Sequence, residues 1–127
     1  MLDVATRALA KRLAGKPPSA WPFVTAWLPG GAVLEESWRA QHLTGDAQVT
    51  TNSFHAQLEA VRAGLGVAVL PVRLADALEL TTLVLPRGVA PPPALDTYLV
   101  TPRALRKVPR VAAVFDALSL ALQQPLG

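Results

Sequence analysis

Residues 52–71 read as a capped helix, a glycine stop and a short, wholly apolar strand, and this unit restricts the fold more than any other segment. Asn52 or Ser53 can act as N-cap by accepting a backbone N–H. Phe54, Leu58, Val61 and Leu65 then recur at helical spacing and predict one apolar stripe. Gly64 supplies a left-handed C-cap, and Gly66 allows a tight reversal. Residues 67–70 are apolar on both faces, which predicts a strand inside a covered sheet, ended by Pro71. The valine and threonines of residues 47–51 predict a strand that leads into the cap. The two strands of this strand–helix–strand unit are expected side by side.

The flanking segments extend the same alternation. Residues 1–5 read as a short strand followed by a helix, the competing reading being a helix over 4–14 capped by Asp3 and stopped at Gly15. Residues 16–22 form a proline-rich loop. Residues 23–28 predict a strand that turns at Pro29-Gly30-Gly31, and residues 35–42 a weak helical turn anchored by Trp38. After the turn at Gly45-Asp46 and the central unit come a helix over 72–78, a strand over 81–85, the stiff Pro91-Pro92-Pro93 connection and a last strand over 97–101. Val108-Pro109 then opens a helix with Val111, Val114, Phe115, Leu118 and Leu122 on one face. Apolar strands alternating with helices predict the α/β class, with a mainly parallel sheet flanked by helices.

Composition narrows the function. With 127 residues, 51% of them hydrophobic and 17% charged, the chain suits one main folded domain. The absence of cysteine excludes disulfides and thiolate zinc sites, and a cytoplasmic location fits. Asp3, Arg7, Lys11 and Arg12 break any signal-peptide pattern, and the apolar run over 65–72 is far shorter than the roughly 20 residues of a membrane span. No membrane partner is expected. The net charge of +3 is dispersed, and Arg103, Arg106, Lys107 and Arg110, the nearest approach to a patch, read as a solvated loop. DNA binding by this chain alone is not expected.

Catalytic chemistry finds no foothold. His55 and Glu59 share a helix face but make only half of a metal site, and Ser53 lacks the glycine elbow of a nucleophile. Gly64-Leu65-Gly66 follows a helix and precedes a strand, the reverse of a phosphate-binding loop. Trp21, Trp27 and Trp38 read as core or pocket wall. The expectation is a protein without catalytic residues, metal or cofactor, and not an enzyme. Its one site with a mechanism lies beyond the strand ends, where Thr51, Asn52 and Ser53 accompany the unpaired N–H groups of a helix start, a place suited to a carboxylate.

The spacing of Ser53, Ala63, Gly64, Gly66 and Pro71 resembles the effector-binding region of LysR-type transcriptional regulators. Lys16-Pro17-Pro18 followed by Trp21-Pro22-Phe23-Val24 is similar to the family's proline-rich loop and the lead into a strand. Residues 97–102 (Thr-Tyr-Leu-Val-Thr-Pro), then Val108-Pro109-Arg110-Val111 and an apolar helix, resemble its returning strand and C-terminal helix. The chain departs from the family at Val4-Ala5-Thr6-Arg7, where the crossover strand usually ends Val-Ala-Ser-Pro. The resemblance implies a periplasmic-binding-protein-like (type 2) half domain. In it residues 5–100 are the second subdomain, and residues 101–127 the returning strand end and C-terminal helix. The helix-turn-helix that reads DNA in the family is missing.

It also implies a small-molecule effector in a cleft near the helix start, so that Thr6, Phe54, Pro71 and Thr101 join Thr51, Asn52 and Ser53 in the binding set. The C-terminal helix lacks the subdomain it packs on in the family. Its stripe of Val111, Val114, Phe115, Leu118 and Leu122 therefore predicts a homo-oligomer interface, or a return onto Leu9 and Leu13. The alternative is a truncated regulator that acts as a dimerisation module without its own ligand.

Overall fold

The structure, a computed structural model, describes residues 1–28, 31–32, 34–94 and 96–124. The chain divides into two compact units, Met1–Ala94 and Leu95–Gly127. The first contains strand β1 (Leu2–Ala5), helix α1 (Arg7–Leu13), strands β2 (Phe23–Leu28) and β3 (Gly31–Ala32), helix α2 (Leu34–His42), strand β4 (Ala47–Thr51), helix α3 (Phe54–Arg62), strand β5 (Ala68–Leu70), helix α4 (Val72–Ala77) and strand β6 (Thr81–Thr82). The short strand followed by a helix at the start is therefore the reading that holds. Thr6, not Asp3, caps α1, its Oγ1 accepting from the Leu9 N–H at 3.3 Å.

The class is α/β, but the sheet is mixed rather than mainly parallel. Strand β2 runs parallel to β4, whereas β1 is antiparallel to both β5 and β6. A parallel bridge between Phe23 and Val67, with Val24 N–H to Val67 O at 2.8 Å and Val67 N–H to Pro22 O at 2.7 Å, joins β2 to the start of β5. The longer strands thus follow the order β4, β2, β5, β1, β6, and the short β3 pairs antiparallel with the end of β2, Trp27 opposite Ala32, on the side away from β4. The strands flanking α3 are therefore not side by side, because β2 lies between them. Burial explains the placement. Residues 23–26 are all buried and suit the centre, whereas β4 keeps a polar, mostly exposed pattern that suits an outer strand.

Alternation along the central strands divides the core into two layers. Ala5, Phe23, Val67 and Val69 join Leu9, Leu13, Trp21 and Trp38. Val4, Val24, Ala68 and Leu70 join Val61 and Ala75. Successive strand residues point to opposite faces, so α1 and α2 cover one side of the sheet and α3 and α4 the other.

Helix α3 begins and ends as expected, with Ser53 as N-cap and Gly64 at φ +78° just beyond the last turn. Its buried face keeps half of the expected stripe, Val61 in the core and Leu58 packed against it. Gln57 and Val61 are buried, while Phe54 and Leu65 stand 43% and 54% exposed. A hydrogen bond from Gln57 Nε2 to the Val24 carbonyl oxygen (3.1 Å) makes the amide's burial tolerable and turns that side toward β2. Gly66 serves close approach: a Cβ there would stand 2.6 Å from Pro22 O.

Other expectations also shift. Residues 35–42 belong to a full helix with Glu35 and Glu36 in its first turn, Arg39 and His42 in its last, and Trp38 buried beneath it. The strand over 81–85 contracts to Thr81–Thr82. Trp21 and Trp38 are core residues, but Trp27 is 57% exposed. Of the Pro29-Gly30-Gly31 turn, Pro29 and Gly30 lie outside the described residues.

The second unit contains helices α5 (Arg103–Arg106) and α6 (Pro109–Gln123). Residues 97–101 form no strand: their alternation has no ladder partner among the described residues. Proline opens α6 as predicted, and Arg106 ties the two helices by an ion pair to Asp116 (2.7 Å) and by stacking over the Phe115 ring (4.3 Å). On α6, Val114, Leu118 and Leu122 are exposed, while Val111 and Phe115 are half-buried. Leu9 and Leu13 are themselves buried core residues of the first unit.

Candidate functional site

Where β4 passes into α3, the backbone bends sharply and three polar residues follow in succession. Thr51 closes the strand, and its Oγ1 accepts the Ser53 N–H at 3.2 Å. Ser53 Oγ in turn accepts the Ala56 N–H at 3.3 Å, and the Ser53 carbonyl takes the Gln57 N–H at 3.0 Å. Asn52, between them, is exposed. The first N–H groups of α3 have no carbonyl one turn earlier to bond, and they concentrate partial positive charge at this corner.

Parallel pairing brings more of the candidate set to the same edge. Thr51 lies opposite Ala26 on β2, so the exposed indole of Trp27 stands at that edge as well. Because Val67, which leads into β5, bridges Phe23 in parallel, β5 runs in the same direction as β2 and ends at Leu70-Pro71 toward the same side of the sheet, while the end of β2 itself pairs with β3. Pro71 there opens α4, its carbonyl oxygen accepting the Leu74 and Ala75 N–H groups.

A shallow recess lies beside this corner, lined by Phe54, Gln57, Ala26, Glu35, Glu36 and Arg39 among others. Arg39 makes two bonds to the Glu36 carboxylate, Nε to Oε2 at 2.9 Å and Nη2 to Oε1 at 2.6 Å, and its Nη1 donates to the Gly45 carbonyl. Gln57 Oε1 is buried there without a protein partner. The recess supplies an amide acceptor and a neutralised ion pair beside an exposed aromatic ring.

Two members of the set fall elsewhere. Thr6 Oγ1 lies beside Gly64, 3.6 Å from where that residue's Cβ would be. That is the far end of α3 from Ser53, about 13 Å away by the helical rise. The cause is the direction of β1: it is antiparallel to β5, with Leu2 opposite Leu70, so its first residues and not its last reach the Pro71 edge. Thr101 belongs to the second unit, immediately before the residue that opens α5. Sequence reasoning missed Gln57 and Arg39, and it read Trp27 as core or pocket wall without placing it at this edge. The final residues of β2 offered a signal for Trp27, since the sheet edge follows from strand direction.

The remaining candidates carry no assembled chemistry. His55 and Glu59 are exposed, and Glu59 pairs with Arg62 at 2.9 Å. His42 stacks on Trp38, with centroids 5.2 Å apart, and its Nδ1 lies 2.9 Å from the Trp38 carbonyl oxygen. Among the described residues no three His, Asp or Glu side chains converge as metal ligands, and no helix is long and apolar enough to cross a membrane.

No curated protein and no solved structure matches the chain. A family model described as LysR substrate binding domain matches residues 8–123.

Proposed function

The chain belongs to the LysR substrate binding domain family, and on that premise we propose that it is an effector-sensing domain, the second subdomain of a type 2 periplasmic-binding-protein-like pair. The domain binds a small molecule, and a carboxylate is the class that suits it. In a complete regulator this binding modulates transcription through DNA reading by a separate domain. The observation that supports the reading is the β4–α3 corner: capped N–H groups, exposed Asn52 and the rings of Trp27 and Phe54 share one edge of the sheet with Pro71. Thr51, Asn52, Ser53, Phe54 and Pro71 form the proposed binding set; Thr101 lies in the second unit and is not placed in it. Thr6 is left out. The ligand acts by its differential affinity for two arrangements of the subdomains.

Calorimetric screening of small carboxylic acids tests this. An acid that binds the chain and loses at least tenfold in affinity with Asn52→Leu supports the corner as the site; unchanged affinity removes it.

A second reading has its own observation. Val114, Leu118 and Leu122, four residues apart on one face of α6, are 60%, 45% and 41% exposed, an apolar stripe that favours self-association. In this reading Val111, Val114, Phe115, Leu118 and Leu122 form a homo-oligomer interface. Sedimentation equilibrium that finds a dimer, converted to monomer by Leu118→Glu, supports it. A monomer at all concentrations removes it.

A further inference from the structure

We infer a second ligand site in the first unit, an apolar groove beside α1 that takes a small organic anion with an aromatic or aliphatic body. It lies along β6, the outer strand opposite β4, so it is distinct from the β4–α3 corner and does not depend on the effector reading. By strand spacing the two outer strands are about 19 Å apart.

The groove follows from the spacing of α1. Arg7, Ala10, Lys11 and Ala14 recur on one helical face and all line a cavity of about 420 Å³ whose floor includes Trp21 and Leu83. The two alanines leave the room, and the two cations stand at its rim with exposed side chains. Lys16 adds a third cation. It also lines an adjoining cavity of about 400 Å³, which shares Trp21 and Val84 with the first. The Trp21 Nε1–H donates to the Lys16 carbonyl oxygen at 3.1 Å, which holds the indole in place as a common wall. A volume of this size is that of a metabolite-sized pocket.

Charge identifies the occupant. No acidic residue lines either cavity. The ion pairs of the described residues join Arg39 to Glu36, Arg62 to Glu59 and Arg106 to Asp116, leaving Arg7, Lys11 and Lys16 without an acid partner among them. Arg7 and Lys11, one turn apart with exposed side chains, are like charges that repel each other. An anion at the rim relieves that repulsion while an apolar body covers Leu83 and the Trp21 ring.

The test uses naphthalene-2-carboxylate as probe and the Asn52→Leu chain as host, so that the β4–α3 corner does not contribute. Calorimetry gives the affinity, and the Trp21 Nε1–H resonance reports the place. Saturable one-to-one binding is expected, with a shift of that resonance. Affinity is expected to fall at least tenfold with Lys11→Glu/Lys16→Glu, to fall less with Lys11→Gln/Lys16→Gln, and to fall at least tenfold for the neutral 2-naphthamide. Absence of binding, an unmoved Trp21 resonance, equal affinity for the amide or indifference to the lysine changes would each overturn the site.

Discussion

Gln57 Nε2 donates to the Val24 carbonyl oxygen across 3.1 Å, joining the buried face of α3 to the central strand β2. The amide is 6% exposed, so its loss would leave both a void and an unpaired carbonyl. Gln57→Ala is expected to destabilise the first unit by about 2 kcal/mol. Gln57→Met, which keeps the volume, should cost about 1 kcal/mol. Urea unfolding followed by tryptophan fluorescence measures both, and an alanine variant as stable as the parent would refute the tie.

Asp3 gives the chain a pH dependence. It lies in β1 at 2% exposure with neither carboxylate oxygen partnered, and burial raises its pKa from 3.8 to about 6. Well below the unfolded pKa of 3.8 the carboxyl is protonated in both folded and unfolded chains, and its stabilising contribution is complete. As pH rises toward 6 the unfolded chain has already ionised, and the folded state loses about 3 kcal/mol. Asp3→Asn should abolish this slope and be the more stable protein at pH 7. Urea midpoints from pH 4 to 7.5 decide it, and parallel curves for the two proteins would sink the prediction.

Two glycines separate backbone strain from steric conflict. Gly15 has φ +77° with open space where a Cβ would go, so Gly15→Ala should cost about 1 kcal/mol. A Cβ on Gly66 would stand 2.6 Å from Pro22 O and 2.9 Å from Val24 Cγ2, beside the Phe23–Val67 bridge between β2 and β5. Gly66→Ala is expected to cost about 3 kcal/mol by forcing that bridge apart. The order of the two losses in a denaturant series is the check, and equal losses would contradict it.

At the candidate corner the cap has a measurable role of its own. Ser53→Ala removes the acceptor for the Ala56 N–H and should cost about 1 kcal/mol, whereas Ser53→Asp restores an acceptor and should recover it. Thermal melts by circular dichroism distinguish the three proteins. Equal melts for serine and alanine would show that the side chain contributes nothing to the helix start.

Much of the local structure was legible in the residues. The stop at Gly64, the proline that opens α6, the apolar strand ending at Pro71 and the cap at Ser53 are decided within a few positions of chain. The resemblance to LysR-type effector domains rested on the same local signals, and the family match bears it out. The candidate site was legible only in part. Thr51, Asn52, Ser53 and Phe54 adjoin one another along the chain, whereas Thr6 was misplaced because the direction of β1 is not written near Thr6.

The chain's own order of caps, glycines and apolar runs thus determined which elements form and where they stop, since hydrogen bonds within a turn and allowed backbone angles act over a few residues. Tertiary structure decided which elements touch. It set β2 between β4 and β5, reversed β1, turned Gln57 inward in place of Phe54 and left residues 97–101 without a ladder. These outcomes depend on pairing and burial between residues far apart in sequence, where several arrangements satisfy the same local pattern and the closest-packed one prevails.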